Sequence, residues 1–144
     1  MQKFKSIMLG AAMASITALP ATSNAATLKM GALAVLEGAF TVLGEDSMRG
    51  VELALKEFDY TAGGLKIELI TGSSDASPDS AIRATRKLVE QDGVQIMVGP
   101  LSGSEGLAVK DYAKTQPEVT FLNGSSAAQD TTCLLYTSPS PRDS

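Results

Sequence analysis

The chain has 144 residues, 16 acidic against 12 basic for a net charge of −4, no histidine and one cysteine. Without histidine it lacks the commonest general base, the Ser-His and Cys-His nucleophile pairs and the commonest metal ligand, and with no basic patch it offers nothing to nucleic acid. No cofactor, metal or catalytic residue is expected.

In chain order, the first feature is an export signal over residues 1–25. Lys3 and Lys5 form a positive start, residues 7–19 are uncharged and mostly apolar, and Ser23-Asn24-Ala25 supplies the small residues that precede a cleavage point. The apolar stretch is shorter than the ~18 to 20 residues of a spanning helix, and Pro20 follows it. Cleavage is expected after Ala25, giving a soluble periplasmic product.

Residues 28–36, 94–98 and 119–122 are short, nearly continuous apolar runs, as expected of strands buried on both faces of a parallel sheet. Residues 65–71 alternate instead, which suits an outer strand. Between them the period changes to that of a helix. Met48, Val51, Leu55 and Phe58 form one stripe, with Glu45/Arg49 and Glu52/Lys56 paired at i,i+4.

A second helix starts with Ser77 as N-cap and Pro78 at the first helical position, turns Ile82, Thr85, Leu88 and Val89 inward, and stops at Gly93. A third runs over about residues 104–114, with Leu107, Ala108 and Tyr112 on a shared face, before Pro117. The order β-α-β-α-β-α-β predicts an α/β fold, a doubly wound parallel sheet whose strand order begins 2-1-3-4. Ligands of such sheets bind beyond the carboxyl ends of the strands, where the order reverses. Here that selects loops 37–44, 99–104 and 123–127.

The first loop has glycines but neither a dinucleotide fingerprint nor a phosphate-loop spacing. Asp75 and Ser77 are read as shaping a turn before a helix. In Gly99-Pro100-Leu101-Ser102-Gly103-Ser104, small residues and two hydroxyls precede a helix, whose free N–H groups and dipole suit a carboxylate. Asn123-Gly124-Ser125-Ser126-Ala127 repeats the theme on the adjoining loop. The acids nearest the mouth, Glu37, Glu45, Asp46, Glu105 and Asp130, are read as a solvated rim. The last residues, 133–144, abandon the pattern, and a translated transposon-based sequencing adapter read in this frame yields Cys133 to Asp143. They are expected to be non-native.

Leu36-Glu37-Gly38, Leu43-Gly44, Gly50, Asp75-x-x-Pro78-x-x-Ala81, Gly99-Pro100-Leu101-Ser102 and Asn123-Gly124-Ser125, in that succession behind a signal, resemble the branched-chain amino-acid binding proteins of ABC transporters. The resemblance implies the type I periplasmic binding protein fold, two lobes closing on a small amino acid or related amide or carboxylate, and delivery to a membrane permease by a monomer. It assigns ligand contacts to Ser102, Gly103, Ser104, Ser125, Ser126 and Ala127, with Leu43 against the ligand side chain. Relatives are two to three times longer, so residues 26–132 are expected to be a partial N-terminal lobe, inactive on its own. A ligand-sensing receptor domain of the same fold is the alternative. An exported enzyme has less in the residues to favour it.

Overall fold

The computed structural model describes residues 26–132. The expected signal peptide and adapter-derived tail lie outside the described residues.

The central strand β1 (Thr27–Val35) pairs in parallel with β3 (Leu65–Ser74), from Thr27 opposite Lys66 to Val35 opposite Ser74. On its other side β4 (Ile96–Val98) is parallel to β1, and β5 (Thr120–Leu122) is parallel to β4. These four strands run in the expected order 2-1-3-4. A fifth, β2 (Thr61–Ala62), was not anticipated; it pairs antiparallel with the start of β3, so the sheet reads β2-β3-β1-β4-β5. Its signal was present as Gly63-Gly64, both with positive φ, which is the requirement of a tight hairpin turn.

Helix α1 (Thr41–Glu57) covers one sheet face, where Ala32 and Ala34 meet Met48. The opposite face holds Leu33, Met97 and Val94 against Ala81 of α2 (Pro78–Arg86), Leu88 of the turn that follows it and Val109 of α3 (Gly103–Ala113). With helices on both faces, the last five residues of β1, from Gly31 to Val35, are all buried. Helix α2 has the expected cap, Ser77 accepting from the Ser80 N–H. Its chain continues through a π-helical turn (Lys87–Gln91) to Gly93 at φ 69°. A short α4 (Gln129–Thr132) follows β5.

Three expectations are corrected. Loop 37–44 is mostly helical: a 3₁₀ turn (Gly38–Phe40) leads directly into α1, and Gly44 allows that first helical turn to sit against the end of β1. Phe58 is 68% exposed, because it ends α1 and the chain turns away through Asp59 and Tyr60, both at positive φ. In α3 the buried stripe is Glu105, Val109 and Tyr112, with Leu107 exposed. Glu105 sets that rotation by bonding inward.

Candidate functional site

The strand order reverses between β1 and β4, so the loops leaving β1, β4 and β5 share one edge of the sheet. The β4–α3 loop opens with a cis Gly99–Pro100 peptide. Gly99 has φ 120°, and a Cβ there would lie 2.4 Å from the Leu33 carbonyl oxygen, so only glycine fits. Its N–H donates to Leu122 O at 3.1 Å, and its carbonyl accepts from the Gly124 N–H at 3.4 Å. A Cβ on Gly124 would meet Gly99 Cα at 3.1 Å, and one on Gly103 would meet the Ala128 Cβ at 3.2 Å. Small residues thus let the β4–α3 and β5–α4 loops lie directly on each other.

Ser102 is the N-cap of α3. Its Oγ accepts from the Glu105 N–H at 3.3 Å, donates to the Ala76 carbonyl at 3.3 Å and lies 3.3 Å from Ser104 Oγ. The two hydroxyls of this loop are therefore together, Ser102 half-buried and Ser104 exposed. On the adjoining loop Ser125 and Ala127 are exposed, whereas Ser126 is buried. Ser126 packs on Gly106, at which a Cβ would lie 2.1 Å from its Oγ, and that Oγ has no hydrogen-bond partner. Asn123 braces the turn by donating from Nδ2 to the Ser126 carbonyl at 3.3 Å. Leu43 is on the first turn of α1, 52% exposed. A cavity of about 400 Å³ separates α1 from these loops, with Val51, Pro100, Leu101, Gly124 and Ser125 in its walls.

Glu105 is not on a solvated rim. Its side chain is fully buried, Oε2 accepting from the Ser102 N–H at 3.1 Å and Oε1 from Ser74 Oγ at 2.5 Å. With the Ser102 hydroxyl on the Glu105 N–H this is a reciprocal capping box. The spacing Ser102-x-x-Glu105 carries that signal, which reading Glu105 only as a rim acid overlooks. Glu37 is exposed and accepts from Ser73 Oγ at 2.7 Å. Asp75 shapes the turn before α2, accepting from the N–H and the hydroxyl of Ser77 at 2.9 and 2.5 Å. These bonds to Ser77 hold its carboxyl below the ordinary value of 3.8.

The edge therefore presents N–H groups, hydroxyls and small apolar residues, a set that can hold a small polar molecule by hydrogen bonds. Among the described residues no group of three His, Cys, Asp or Glu side chains is placed to hold a metal ion. No described helix is long and apolar enough to cross a membrane.

Known proteins share this architecture. A family model described as periplasmic binding protein matches residues 27–142. The Leu/Ile/Val-binding protein homolog 2 of Brucella abortus is 32% identical over 113 residues, which is 76% of this chain and 30% of that protein. The chain thus spans less than a third of the length of the curated relatives it matches. Among solved structures, a solute binding protein of an ABC transporter from Rhodopseudomonas palustris, in complex with 3,4-dihydroxy benzoic acid, is 28% identical with a TM-score of 0.62, over 67% of this chain and 26% of that one. A branched-chain amino acid transporter substrate binding protein from Streptococcus pneumoniae, in complex with isoleucine, is 25% identical with a TM-score of 0.67, over 74% of this chain and 31% of that one. The five-stranded, mainly parallel sheet matches part of a type I periplasmic binding protein. A reversal of strand order flanked by two loops that interlock at Gly99 and Gly124, in a chain that a family model matches along most of its length, places this protein in the periplasmic binding protein family.

Proposed function

We propose that residues 26–132 form part of the N-terminal lobe of a periplasmic solute-binding protein that delivers a small amino acid, or a related carboxylate or amide, to the permease of an ABC importer. The observation that carries this reading is the interlocking of the β4–α3 and β5–α4 loops at the reversal of strand order. It supports a ligand site drawn from Ser102, Gly103, Ser104, Ser125, Ser126 and Ala127, with Leu43 on the rim. The free N–H groups at the start of α3 suit a carboxylate, and the solutes of the two solved relatives, isoleucine and 3,4-dihydroxybenzoic acid, both carry one.

In this reading residues 1–25 direct export and residues 133–144 are adapter-derived, and because the chain spans less than a third of its relatives' length the lobe alone presents half a site. It binds no amino acid at micromolar concentration. The test is calorimetric titration of the intact binding protein, obtained from the uninterrupted reading frame, with branched-chain amino acids and hydroxybenzoates. Saturable binding of one class supports the proposal. Absence of binding to any amino acid, amide or aromatic acid counts against it.

A further inference from the structure

Glu105 is fully buried, and among the described residues its carboxylate is met by a hydroxyl and a backbone N–H rather than by a cation. Burying a carboxylate is costly unless its hydrogen bonds repay the loss of water. A capping box requires only that one oxygen reach back to the N-cap N–H. Here the second oxygen reaches Ser74 Oγ, at the end of β3, two strands away from β4 in the sheet.

Ser74 is itself a junction. Its carbonyl accepts from the N–H groups of Leu36 and Glu37 at 3.1 and 3.2 Å, tying the end of β1 to that of β3. From the other side, the Ser102 hydroxyl donates to the carbonyl of Ala76, a residue held at φ 73° in the β3–α2 loop. The loops after β1, β3 and β4 are therefore tied together through Ser74 and Ser102, the two residues that hold the Glu105 carboxylate. The box occupies the N–H groups of Ser102 and Glu105. Since the first residues of a helix have no intrahelical acceptor, Gly103 and Ser104 supply the donors left at this end of α3.

We propose that Glu105 is the positioning residue of the ligand mouth, holding the Ser102 turn against β3 so that the Gly103 and Ser104 N–H groups face the solute. The inference rests on the solute-binding reading above.

Two measurements on the intact binding protein test it separately from that reading. Amide hydrogen exchange at Ser102 follows the Glu105 bond, and calorimetry with isoleucine and 3,4-dihydroxybenzoate follows its consequence. Glu105→Ala is expected to speed Ser102 exchange at least about tenfold while Leu33 and Met97 keep their protection, and to weaken whichever compound binds roughly tenfold to a hundredfold. Glu105→Gln keeps an acceptor for the Ser102 N–H and an amide for Ser74 Oγ, and is expected to restore both readouts to within about threefold. Should Glu105→Ala fail to fold, Ser74→Ala takes its place, with weakened binding and a still-protected Ser102 amide expected. Parental exchange and affinity in Glu105→Ala, parental affinity in Ser74→Ala, or Glu105→Gln as damaged as Glu105→Ala, would overturn the assignment. If the unchanged protein binds neither compound, the solute reading suffers and the exchange pattern alone decides the role of Glu105.

Discussion

Gly44 rests on the carbonyl of Val35: a Cβ at Gly44 would lie 1.8 Å from that oxygen, too close for any side chain. This contact joins the first turn of α1 to the end of β1, and so fixes where α1 stands beside the mouth. Gly44→Ala must push the helix off the strand, and overpacking of this kind costs about 1 to 3 kcal/mol or more. Denaturant unfolding is expected to show a lowered midpoint of that size. A midpoint equal to the parent's would mean the two elements are not in contact.

Leu88 and Phe58 should behave in opposite ways although both were expected to face the core. Leu88 is 1% exposed and packs beside Gly31 and Gly72 on the α2/α3 face of the sheet. Leu88→Ala is expected to lose about 2 to 5 kcal/mol by leaving a cavity. Phe58→Ala, at an exposed helix end, should stay within about 0.5 kcal/mol of the parent. Equal losses in unfolding experiments would contradict the placement of Phe58.

The Asp75–Ser77 turn predicts an acid-side dependence. The Asp75 carboxyl is held below 3.8 chiefly by the Ser77 hydroxyl and then by the Ser77 N–H. A lowered folded-state value stabilises the fold above the unfolded value of Asp, and that contribution is lost as pH falls through the lowered value. Ser77→Ala is expected to move the Asp75 titration, followed by carboxyl carbon NMR, back toward its ordinary position. Because Ser77 also caps α2, the same change should cost about 1 kcal/mol at neutral pH. An unmoved Asp75 titration in Ser77→Ala would show that the hydroxyl is not its partner.

The hydroxyls of the two interlocked loops can be ranked by exposure. Ser104 and Ser125 are exposed, so in the intact binding protein Ser104→Ala and Ser125→Ala should each weaken ligand by ~1 to 3 kcal/mol with little effect on folding. Ser102→Ala should do the same and also lower stability, since its hydroxyl caps α3. Ser126 Oγ is buried without a partner, and Ser126→Ala is expected to leave stability equal or raise it by up to about 1 kcal/mol. Calorimetry and thermal unfolding on the four variants check the ranking. Unchanged affinity in Ser102→Ala, Ser104→Ala and Ser125→Ala together would remove these loops from the site.

Local chemistry and periodicity were enough to read most of the scaffold. The apolar runs identify β1, β4 and β5, the cap at Ser77 and the stop at Gly93 bound the second helical segment, and their alternation dictates a parallel sheet in the order found. These features are legible because each depends on neighbours within a few residues, or on the handedness of the crossovers. The Gly63-Gly64 hairpin and the Ser102-x-x-Glu105 box were equally local and could have been read there too.

What only the tertiary structure decided concerns contacts between segments distant in sequence. The close approach of Gly44 to Val35 turns an apparent loop into the start of α1, and the reversal of the chain at Asp59 and Tyr60 carries Phe58 out to solvent. Glu105 looks like any surface acid until Ser74, thirty-one residues earlier, is brought to 2.5 Å from it. Ser125 and Ser126 are neighbours of the same type, yet one is exposed and the other packed on Gly106. A side chain's burial is set by which remote backbone fills the space beside it, and a single stretch of sequence does not contain that backbone.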